Sequence, residues 1–415
     1  MDTGETSTTL FPLPEERMSN IAEARRTGVL PYQQLREMVR TRVIASTVEI
    51  EPGQLQPASL DLRLGRRAYR VSASFLPGSN ATVMDKIKQL DGLPAIDLVR
   101  EPVLERGAIY VIELFESVSL SAEIAGVANP KSSTGRLDIL TRLIADRATA
   151  FDRVEPGYKG PLYLEVAPLT FSIVVRPGVR LSQLRLQRGI GPMPQVEIDR
   201  FYKNGQLIGF PGPQLPLRDG LLVPVSVDLE GAGPGAAIGY RAKKSANKID
   251  VDLVGHYDPR EFWDRIESGD GRLNLDPGDF YILATREDVG VPPQLSAEMV
   301  PYDARSGEFR VHYAGFFDPG FGYADGRAAG SKAVLEVRSY GVSFSLEHGQ
   351  IVGWLRYAPI AGGFTEQLYG KDVKSNYQGQ GVALSKQFKQ WRSGPENERT
   401  ARSDGGKVAS SHKTG

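Results

Sequence analysis

Four side chains in the segment NPKSSTGR, positions 129–136, are of the types that bind phosphate groups. Two hydroxyls, a lysine and an arginine surround a glycine-containing turn, where side chains and backbone N–H groups can converge on phosphate oxygens. The same residue types are also typical of a capped turn whose basic side chains are solvated. Both interpretations stay open for the segment taken by itself. The candidate residues are Lys131, Ser132, Ser133 and Arg136.

Glu165 is the second candidate for chemistry. It lies in the alternating segment PLYLEV, positions 161–166, between residues that we expect to be buried. Burial raises the pKa of a carboxyl group toward the working pH, which suits a general base that takes a proton from water. The alternative is that strand alternation points Glu165 outward into solvent.

A third candidate is the segment after the last apolar strand pattern. It contains Tyr369 and the glycine-rich run NYQGQG, positions 376–381, which includes Gln380. Aromatic and amide groups on a glycine-rich chain can fold over a ligand as a lid. A flexible tail is the other interpretation.

Composition restricts the metal chemistry. The sequence has no cysteine, which excludes disulfides, thiol nucleophiles and thiolate zinc sites. The four histidines have none of the spacings typical of zinc motifs, so we expect packing or surface roles for them. They are His256, His312, His348 and His412.

The charge balance gives no reason to expect a nucleic-acid or membrane partner. Lys and Arg number 50, as do Asp and Glu, so the chain has no global positive field. No apolar run approaches the roughly 20 residues of a membrane span, and the first residues lack the pattern of a secretion signal. We therefore expect a cytoplasmic protein.

The secondary structure that must position these residues is mainly β. With 45 Gly and 28 Pro, the elements must be short and often interrupted. One helix is predicted in PYQQLREMVRTRVI, where Leu35, Met38, Val39 and Val43 share a face. Strands are predicted at 108–114, 161–166, 171–175 and 179–186.

The sequence also repeats itself in a fixed order, which indicates a duplicated domain. We predict a first β-rich copy at 29–195, a linker at 196–215, and a second copy at 216–370. Residues 1–28 are predicted to be disordered, and 371–415 to form a lid and a disordered tail. The matching segments are PASLDL (57–62) with PVSVDL (224–229), LERGAIYVI (104–112) with LDPGDFYIL (275–283), EPG (155–157) with DPG (318–320), and LEV (164–166) with LEV (335–337).

Four segments in order resemble the dCTP deaminase family, the deaminating branch of the dUTPase-like proteins. They are QPASLDLRLG (56–65), NPKSSTGR (129–136), RVEPGYKGPLYLE (153–165) and YQGQGVALS (377–385). The duplication is similar to the long, two-domain bacterial form of that family. The resemblance implies a mainly β fold of two tandem, distorted, jelly-roll-like barrels with a few short helices.

The resemblance also implies roles for individual residues. Glu165 matches the catalytic glutamate, Arg136 the arginine that holds the water and the base, and Ser132 a hydroxyl beside them. The second copy keeps Glu336 but lacks a Ser-Ser-x-x-Arg turn, so we expect it to be a degenerate, structural copy. The implied substrate contacts are Lys131, Ser133, Glu155, Tyr163, Leu164, Tyr369 and Gln380.

The function implied is hydrolysis of dCTP to dUTP and ammonia, with Glu165 as general base and no zinc. Mg²⁺ is expected to be bound through the triphosphate of the substrate. A homo-oligomer is expected, a trimer being favoured. Two alternatives stay open: a dUTP pyrophosphatase or bifunctional deaminase and pyrophosphatase, and a non-catalytic scaffold that binds nucleotides.

Overall fold

The structure, a computed structural model, describes residues 27–90, 94–189, 193–209, 214–301, 309–312, 315–339, 341–373 and 377–391. These residues are mainly in β-strands, with a few short helices, which confirms the predicted fold class. The helices are α1 (Tyr32–Arg40), α2 (Val83–Leu90), α3 (Ser132–Gly135), α4 (Gln195–Lys203) and α5 (Pro259–Phe262), and a 3₁₀ turn spans Pro52–Gln54.

The first barrel is built on one large, mostly antiparallel sheet. Its strands follow the order β8-β10-β6-β3-β12-β7-β9, with β1 on β12, β2 on β6 and β4 on β3. The strands are β1 (Gly28–Val29), β2 (Ile44–Ser46), β3 (Leu60–Val71), β4 (Ile96–Asp97), β5 (Val103–Leu104), β6 (Ile109–Ser119), β7 (Ile124–Pro130), β8 (Ile139–Ala145), β9 (Arg153–Val154), β10 (Lys159–Pro168), β11 (Ile173–Val174) and β12 (Arg180–Arg188).

The second barrel combines two main sheets, ordered β17-β15-β19-β25-β21 with β13 on β19, and β14-β27-β20-β22. Its strands are β13 (Ile208–Gly209), β14 (Leu222–Ser226), β15 (Ala237–Ala242), β16 (Ile249–Asp250), β17 (Trp263–Glu267), β18 (Arg272–Leu275), β19 (Phe280–Val289), β20 (Leu295–Pro301), β21 (Phe309–His312), β22 (Phe316–Phe317), β23 (Tyr323–Ala324), β24 (Arg327–Ala328), β25 (Lys332–Ser339), β26 (Phe344–Glu347) and β27 (Ile351–Pro359).

The two barrels share buried surface. The larger apolar core takes most of its residues from the first barrel but includes Trp263, Phe280 and Val334 of the second. Strand β16 pairs in parallel with β11, joining Ile249 to Ile173. Because apolar burial is the main stabilising contribution to such packing, the barrels form one unit rather than two independent modules.

The sequence-based view of the connector is corrected by the structure. Within the segment 196–215, helix α4 packs Ile198, Phe201 and Tyr202 into the core of the second barrel, and β13 pairs with β19. The apolar spacing i, i+3, i+4 places these side chains on one helix face. The segment is therefore part of the second barrel, because its apolar face needs that core.

The chain ends differ in part from the predicted disorder. Residues 1–26, 374–376 and 392–415 lie outside the described residues. Gly28 already pairs with Arg188 in β1. At the other end, Phe388 is buried and Trp391 packs against the larger core, so an ordered segment extends beyond Lys386. Two aromatic side chains supply the apolar area that anchors it.

The predicted N-terminal helix is present as α1, which buries Leu35 and Met38. Val39 and Val43 are partly buried against the same core, although Val43 follows the helix. Of the predicted strand 171–175, only Ile173–Val174 pairs as a strand.

Candidate functional site

A cavity of about 520 Å³ lies between the two barrels and the C-terminal segment. Both barrels line it, so its chemistry depends on how they dock. Polar residues at its wall include Asp61, Lys131, Ser132, Ser133 and Arg136 of the first barrel, Asp318 and Glu336 of the second, and Tyr369, Tyr377, Gln380 and Lys386 of the C-terminal segment.

The turn at positions 129–136, called the phosphate-type turn because its side chains are of the types that bind phosphate, forms one wall of the cavity. Strand β7 ends at Pro130, and the single helical turn α3 follows it. The Lys131 carbonyl accepts hydrogen bonds from the N–H groups of Thr134 and Gly135, at 2.8 and 3.0 Å, and so closes the turn. This geometry brings Ser132, Ser133 and Arg136 to the same cavity, as the turn motif predicts.

Arg136 is held by the C-terminal segment. Its guanidinium lies 3.9 Å from the ring centroid of Tyr377, and its Nη1 donates to the Ala383 carbonyl at 3.1 Å. The side chain is 2% exposed, and its Nε has no hydrogen-bond partner among the described residues. A buried donor without a partner is costly unless a ligand or water satisfies it.

Two more cations, Lys131 and Lys386, line the cavity near the turn. Lys131 forms an ion pair with Asp61, and Arg180 Nη1 lies 3.8 Å from the same carboxylate. Burial lowers the pKa of Lys386, and the nearby positive charge of Lys131 lowers it further. Like charges brought together in this way favour binding of an anion between them.

A buried glutamate of the second barrel, Glu336, also lines the cavity. Glu336 lies on β25, opposite Ile282 of β19 and His312 of β21, and is 6% exposed. Burial raises the pKa of Glu336 to about 8, while the positive charge of Arg136 opposes that rise. The cavity therefore holds a buried carboxyl group beside an arginine of the other barrel.

Asp318 is a second buried acid from the same barrel. It pairs with Arg185 of β12 at 2.9 Å, and Ser59 donates to it at 3.5 Å. Burial raises the pKa of Asp318, and Arg185 lowers it. Asp318 occupies the repeat position that matches Glu155, so a polar contact assigned to the first repeat has its counterpart here.

Glu165 does not line this cavity. It is 1% exposed and faces Arg142 across the β10–β8 pair, where Arg142 Nε donates to its Oε1 at 2.7 Å. Arg142 also donates to Ser74 Oγ at 2.6 Å and lies 4.0 Å from the Phe151 ring centroid. The glutamate side chain is buried, as one of the two sequence interpretations held, but it is paired within the first barrel.

The other predicted site residues form two groups, those that do not line the cavity and those that do. Tyr163 and Leu164 are buried in apolar clusters of the first barrel, and Glu155 is exposed. Tyr369 and Gln380 line the cavity as expected, and Gln380 Nε2 donates to the Lys332 carbonyl at 3.1 Å. The sequence motifs thus meet across the barrels, with the turn from the first repeat and the acid from the second.

Sequence reasoning missed Glu336, Asp318 and Lys386 as site residues. The signal for the first two was the repeat itself, because LEV and DPG recur at 335–337 and 318–320. The missing Ser-Ser-x-x-Arg turn of the second repeat predicts a structural copy. In the structure, the cavity brings the turn of the first repeat together with Glu336 of the second.

Within the part of the chain that the structure describes, no group of three or more His, Asp or Glu side chains is placed to hold a metal ion. Among the same residues, no helix has the length and apolarity needed to cross a membrane.

Comparisons with known proteins identify the family of both halves of the chain. The family described as the 2'-deoxycytidine 5'-triphosphate deaminase N-terminal domain matches residues 26–190, and its C-terminal domain matches residues 197–388. The second match begins inside α4 and runs through the ordered C-terminal segment. It therefore assigns both to the second half of the chain, as their packing does.

Single proteins show the same similarity. A dCTP deaminase from Halorubrum lacusprofundi is 32% identical over 132 residues, which cover 32% of this chain and 62% of that protein, less than two thirds of its length. A dUMP-forming dCTP deaminase from Corynebacterium diphtheriae is 32% identical over 161 residues, covering 37% of this chain and 80% of that protein.

A solved structure covers both halves. The crystal structure of 2'-deoxycytidine 5'-triphosphate deaminase from Agrobacterium tumefaciens is 47% identical, with a TM-score of 0.75, and the match covers 81% of this chain and 99% of that chain. With both domain families matched along most of its length, this chain belongs to the dCTP deaminase family.

Proposed function

We propose that this chain hydrolyses dCTP to dUTP and ammonia, with Glu336 as the general base. One observation carries the proposal: the buried Glu336 shares a cavity with the turn that carries Ser132 and Arg136. A carboxyl group next to a cation, in a site sheltered from water, can accept a proton from a single bound water molecule.

The chemistry requires a nucleophile at C4 of the cytosine ring. Glu336 takes a proton from water, the water oxygen bonds to C4, and the proton is delivered to the ring so that a tetrahedral adduct forms. The C4 hydroxyl of the adduct then gives its proton to the same carboxyl group, which passes it to the amino group as the bond between C4 and that amino group breaks, so that ammonia leaves and the C4 carbonyl of dUTP forms. Ser132 and the unsatisfied Nε of Arg136 are suited to hold the water.

The pKa of Glu336 suits both directions of proton transfer. At a pKa of about 8, only about one Glu336 in ten is ionised at pH 7 in the free chain. Arg136 favours the ionised form and burial favours the neutral form, so small changes on nucleotide binding shift the balance. A group poised near the working pH can both accept and return a proton.

The remaining cavity residues fit a nucleoside triphosphate. Lys131, Ser133 and Lys386 present cations and a hydroxyl that can bind phosphate oxygens. Asp318 is placed to accept from a sugar hydroxyl. Mg²⁺ in this proposal accompanies the triphosphate and neutralises its charge, as is usual for nucleotide substrates.

The direct test is to incubate the protein with dCTP and Mg²⁺ and to identify the products. We expect ammonia and dUTP in equal amounts. Binding of dCTP without any product would instead support the non-catalytic scaffold and overturn the proposal. Treating the protein with chelator before adding Mg²⁺ removes any bound transition metal and tests the expectation that zinc is not needed.

A second candidate function is deamination followed by cleavage to dUMP. Relatives from Corynebacterium diphtheriae and Parafrankia are named dUMP-forming, which favours testing it. Measuring pyrophosphate from dCTP and from dUTP separates the two activities. Pyrophosphate in step with ammonia would identify a bifunctional enzyme, and pyrophosphate from dUTP alone a dUTP pyrophosphatase.

The oligomeric state stays a prediction. The cavity takes residues from both barrels of one chain, so a homotrimer would contain one such cavity for each chain. Light scattering coupled to size-exclusion chromatography measures the mass of the assembly. A trimer is the expected result, and a monomer or dimer would correct it.

A further inference from the structure

A second charged pair joins the barrels beside Glu336. Arg338 follows Glu336 by two residues on β25, so the two residues lie on the same face of the strand. Asp138 follows Arg136 by two residues, just after the phosphate-type turn. Arg338 Nη2 forms an ion pair with Asp138, which links the strand that bears the acid to the turn that bears its arginine.

The pair is part of a buried network. Asp138 is fully buried, and the Arg338 side chain is 12% exposed. Thr170 Oγ1 donates to Asp138 Oδ2 at 2.5 Å, and Arg338 Nη2 lies 3.0 Å from the same hydroxyl. Arg338 Nη1 donates to the Gly278 carbonyl. Because burial removes water from both charged groups of an ion pair, the contribution of the pair to stability depends on these additional hydrogen bonds.

The backbone of Asp138 is also held in place. Its φ of 56° is in the left-handed region, which a residue other than glycine adopts at a cost. Its N–H donates to the Gly135 carbonyl at 2.8 Å, and its carbonyl accepts from Leu169 at 2.9 Å. The turn therefore ends in a fixed conformation that aims the Asp138 carboxylate at the second barrel.

Two opposite charges of the first barrel act on Glu336. The negative charge of Asp138 raises the pKa of Glu336, whereas Arg136 lowers it. On β25 itself, Lys332 is paired with Asp228, and the residues opposite Glu336 on the neighbouring strands are Ile282 and His312. The other titratable groups that share the cavity are Asp61, Lys131, Asp318, Tyr369, Asp372, Tyr377 and Lys386.

We propose that Arg338 and Asp138 are positioning residues for Glu336. Their ion pair fixes β25 against the turn and keeps the charge of Asp138 compensated next to the acid. This inference rests on the proposed role of Glu336. It predicts that removing one member of the pair and removing the other shift the acidic limb of the pH profile in opposite directions. A purely structural contact would not produce opposite shifts.

The test is the pH profile of kcat/KM for dCTP in Arg338→Met and Asp138→Asn. Arg338→Met leaves the negative charge of Asp138 uncompensated, so the acidic limb of the profile should move to higher pH, by about 0.5 to 1 unit. Asp138→Asn leaves the positive charge of Arg338 uncompensated and should move the limb to lower pH by a similar amount. In the double variant the limb should return toward that of the parent chain.

A second pair of variants separates charge from geometry. Arg338→Lys keeps the charge but loses the planar fork, so it should lower kcat while leaving the acidic limb in place. If Arg338→Met does not fold, the contrast between Asp138→Asn and Arg338→Lys carries the test. The inference would be overturned if the acidic limb moved in the same direction in Asp138→Asn and Arg338→Lys, or if it moved in neither of these two variants.

A matched control is another cross-barrel ion pair, Arg176 with Asp250 at 2.7 Å. It joins the same two barrels outside the cavity, so Arg176→Met should leave the acidic limb unchanged. Glu336→Gln separates the two proposals. If that variant keeps near-normal turnover, the proposed function fails. If it loses turnover but Arg338→Met and Asp138→Asn shift the limb alike, only the positioning inference fails.

Discussion

Glu165 and Glu336 occupy equivalent places in the two barrels and have different surroundings. Each follows a leucine in an LEV segment, on a strand paired on both sides: β10 lies between β6 and β8, and β25 between β19 and β21. Both are buried. In the first barrel an arginine of the neighbouring strand pairs with the acid, whereas in the second the neighbouring arginine comes from the other barrel.

The comparison shows what turns a buried carboxyl group into a candidate base. Glu165 has a cross-strand partner in Arg142, which donates to its Oε1 and compensates its charge. Glu336 has Arg136 nearby but opens into a cavity that a ligand can enter. Burial is common to both glutamates, so access to a ligand and a partner with unsatisfied donors distinguish them.

The largest expected effect comes from removing each acid in turn. Glu336→Gln should lower kcat for ammonia release by about 10³-fold or more, because it removes the carboxyl group proposed to accept the proton from water. Glu165→Gln should keep kcat within a few-fold of the parent chain. A coupled assay for ammonia measures both. The opposite result would return the catalytic role to Glu165, where the sequence resemblance placed it.

Breaking the Glu165 pair should affect stability rather than catalysis. Arg142→Met leaves a buried carboxylate without its cation and should lower the free energy of unfolding by about 2 to 3 kcal/mol, since Arg142 is 27% exposed and water relieves part of the loss. The double variant with Glu165→Gln should recover much of this loss. Urea denaturation gives the values. A large loss of kcat in Arg142→Met at unchanged stability would contradict the assignment.

The pH dependence of stability should include a contribution from Glu336. The pKa of Glu336 is raised from 4.5 to about 8 in the folded chain, so the native state binds more protons than the unfolded state between those values. The contribution of Glu336 to stability is therefore present below pH 4.5 and is lost as pH rises through about 8. The slope should approach about 1 kcal/mol per pH unit.

The matched measurement uses Glu336→Gln, which should lose the contribution of Glu336 to that slope between pH 5 and pH 8. Asp152, near Glu165, also has a pKa raised by burial, to about 7, so it adds a slope of the same sign in the parent chain. Asp152→Asn removes that second contribution and serves as the control. A slope that stays unchanged in Glu336→Gln would contradict the raised pKa of Glu336.

Part of this arrangement was readable from the sequence. The turn at 129–136 could be assigned because all its groups lie on adjacent residues, so local geometry alone brings them together. The choice between Glu165 and Glu336 could not, because each repeat presents the same LEV strand. The contacts on which the proposal rests, those of Arg142 and Arg136, form through strand pairing and barrel docking, which are long-range.

Two errors of fold have related causes. The segment 196–215 looked like a connector because glycine and proline surround it, although Ile198, Phe201 and Tyr202 have helical spacing. The C-terminal segment looked disordered because it has few apolar residues. Two aromatic residues, Phe388 and Trp391, anchor it against an aromatic surface of the second barrel that includes Trp263 and Tyr240.

The smallest expected effect tests the last shared feature of the two acids, an arginine stacked on an aromatic ring. Arg136 lies over Tyr377 and Arg142 over Phe151, at 3.9 and 4.0 Å from the ring centroids. Tyr377→Leu should lower kcat/KM for dCTP by about 3- to 10-fold, as expected for a partly desolvated cation–π contact that orients the arginine. Phe151→Leu removes the matching contact in the first barrel and should leave kcat/KM unchanged. Equal losses in both variants would mean that stacking only stabilises the fold, and that the orientation of Arg136 does not depend on the C-terminal segment.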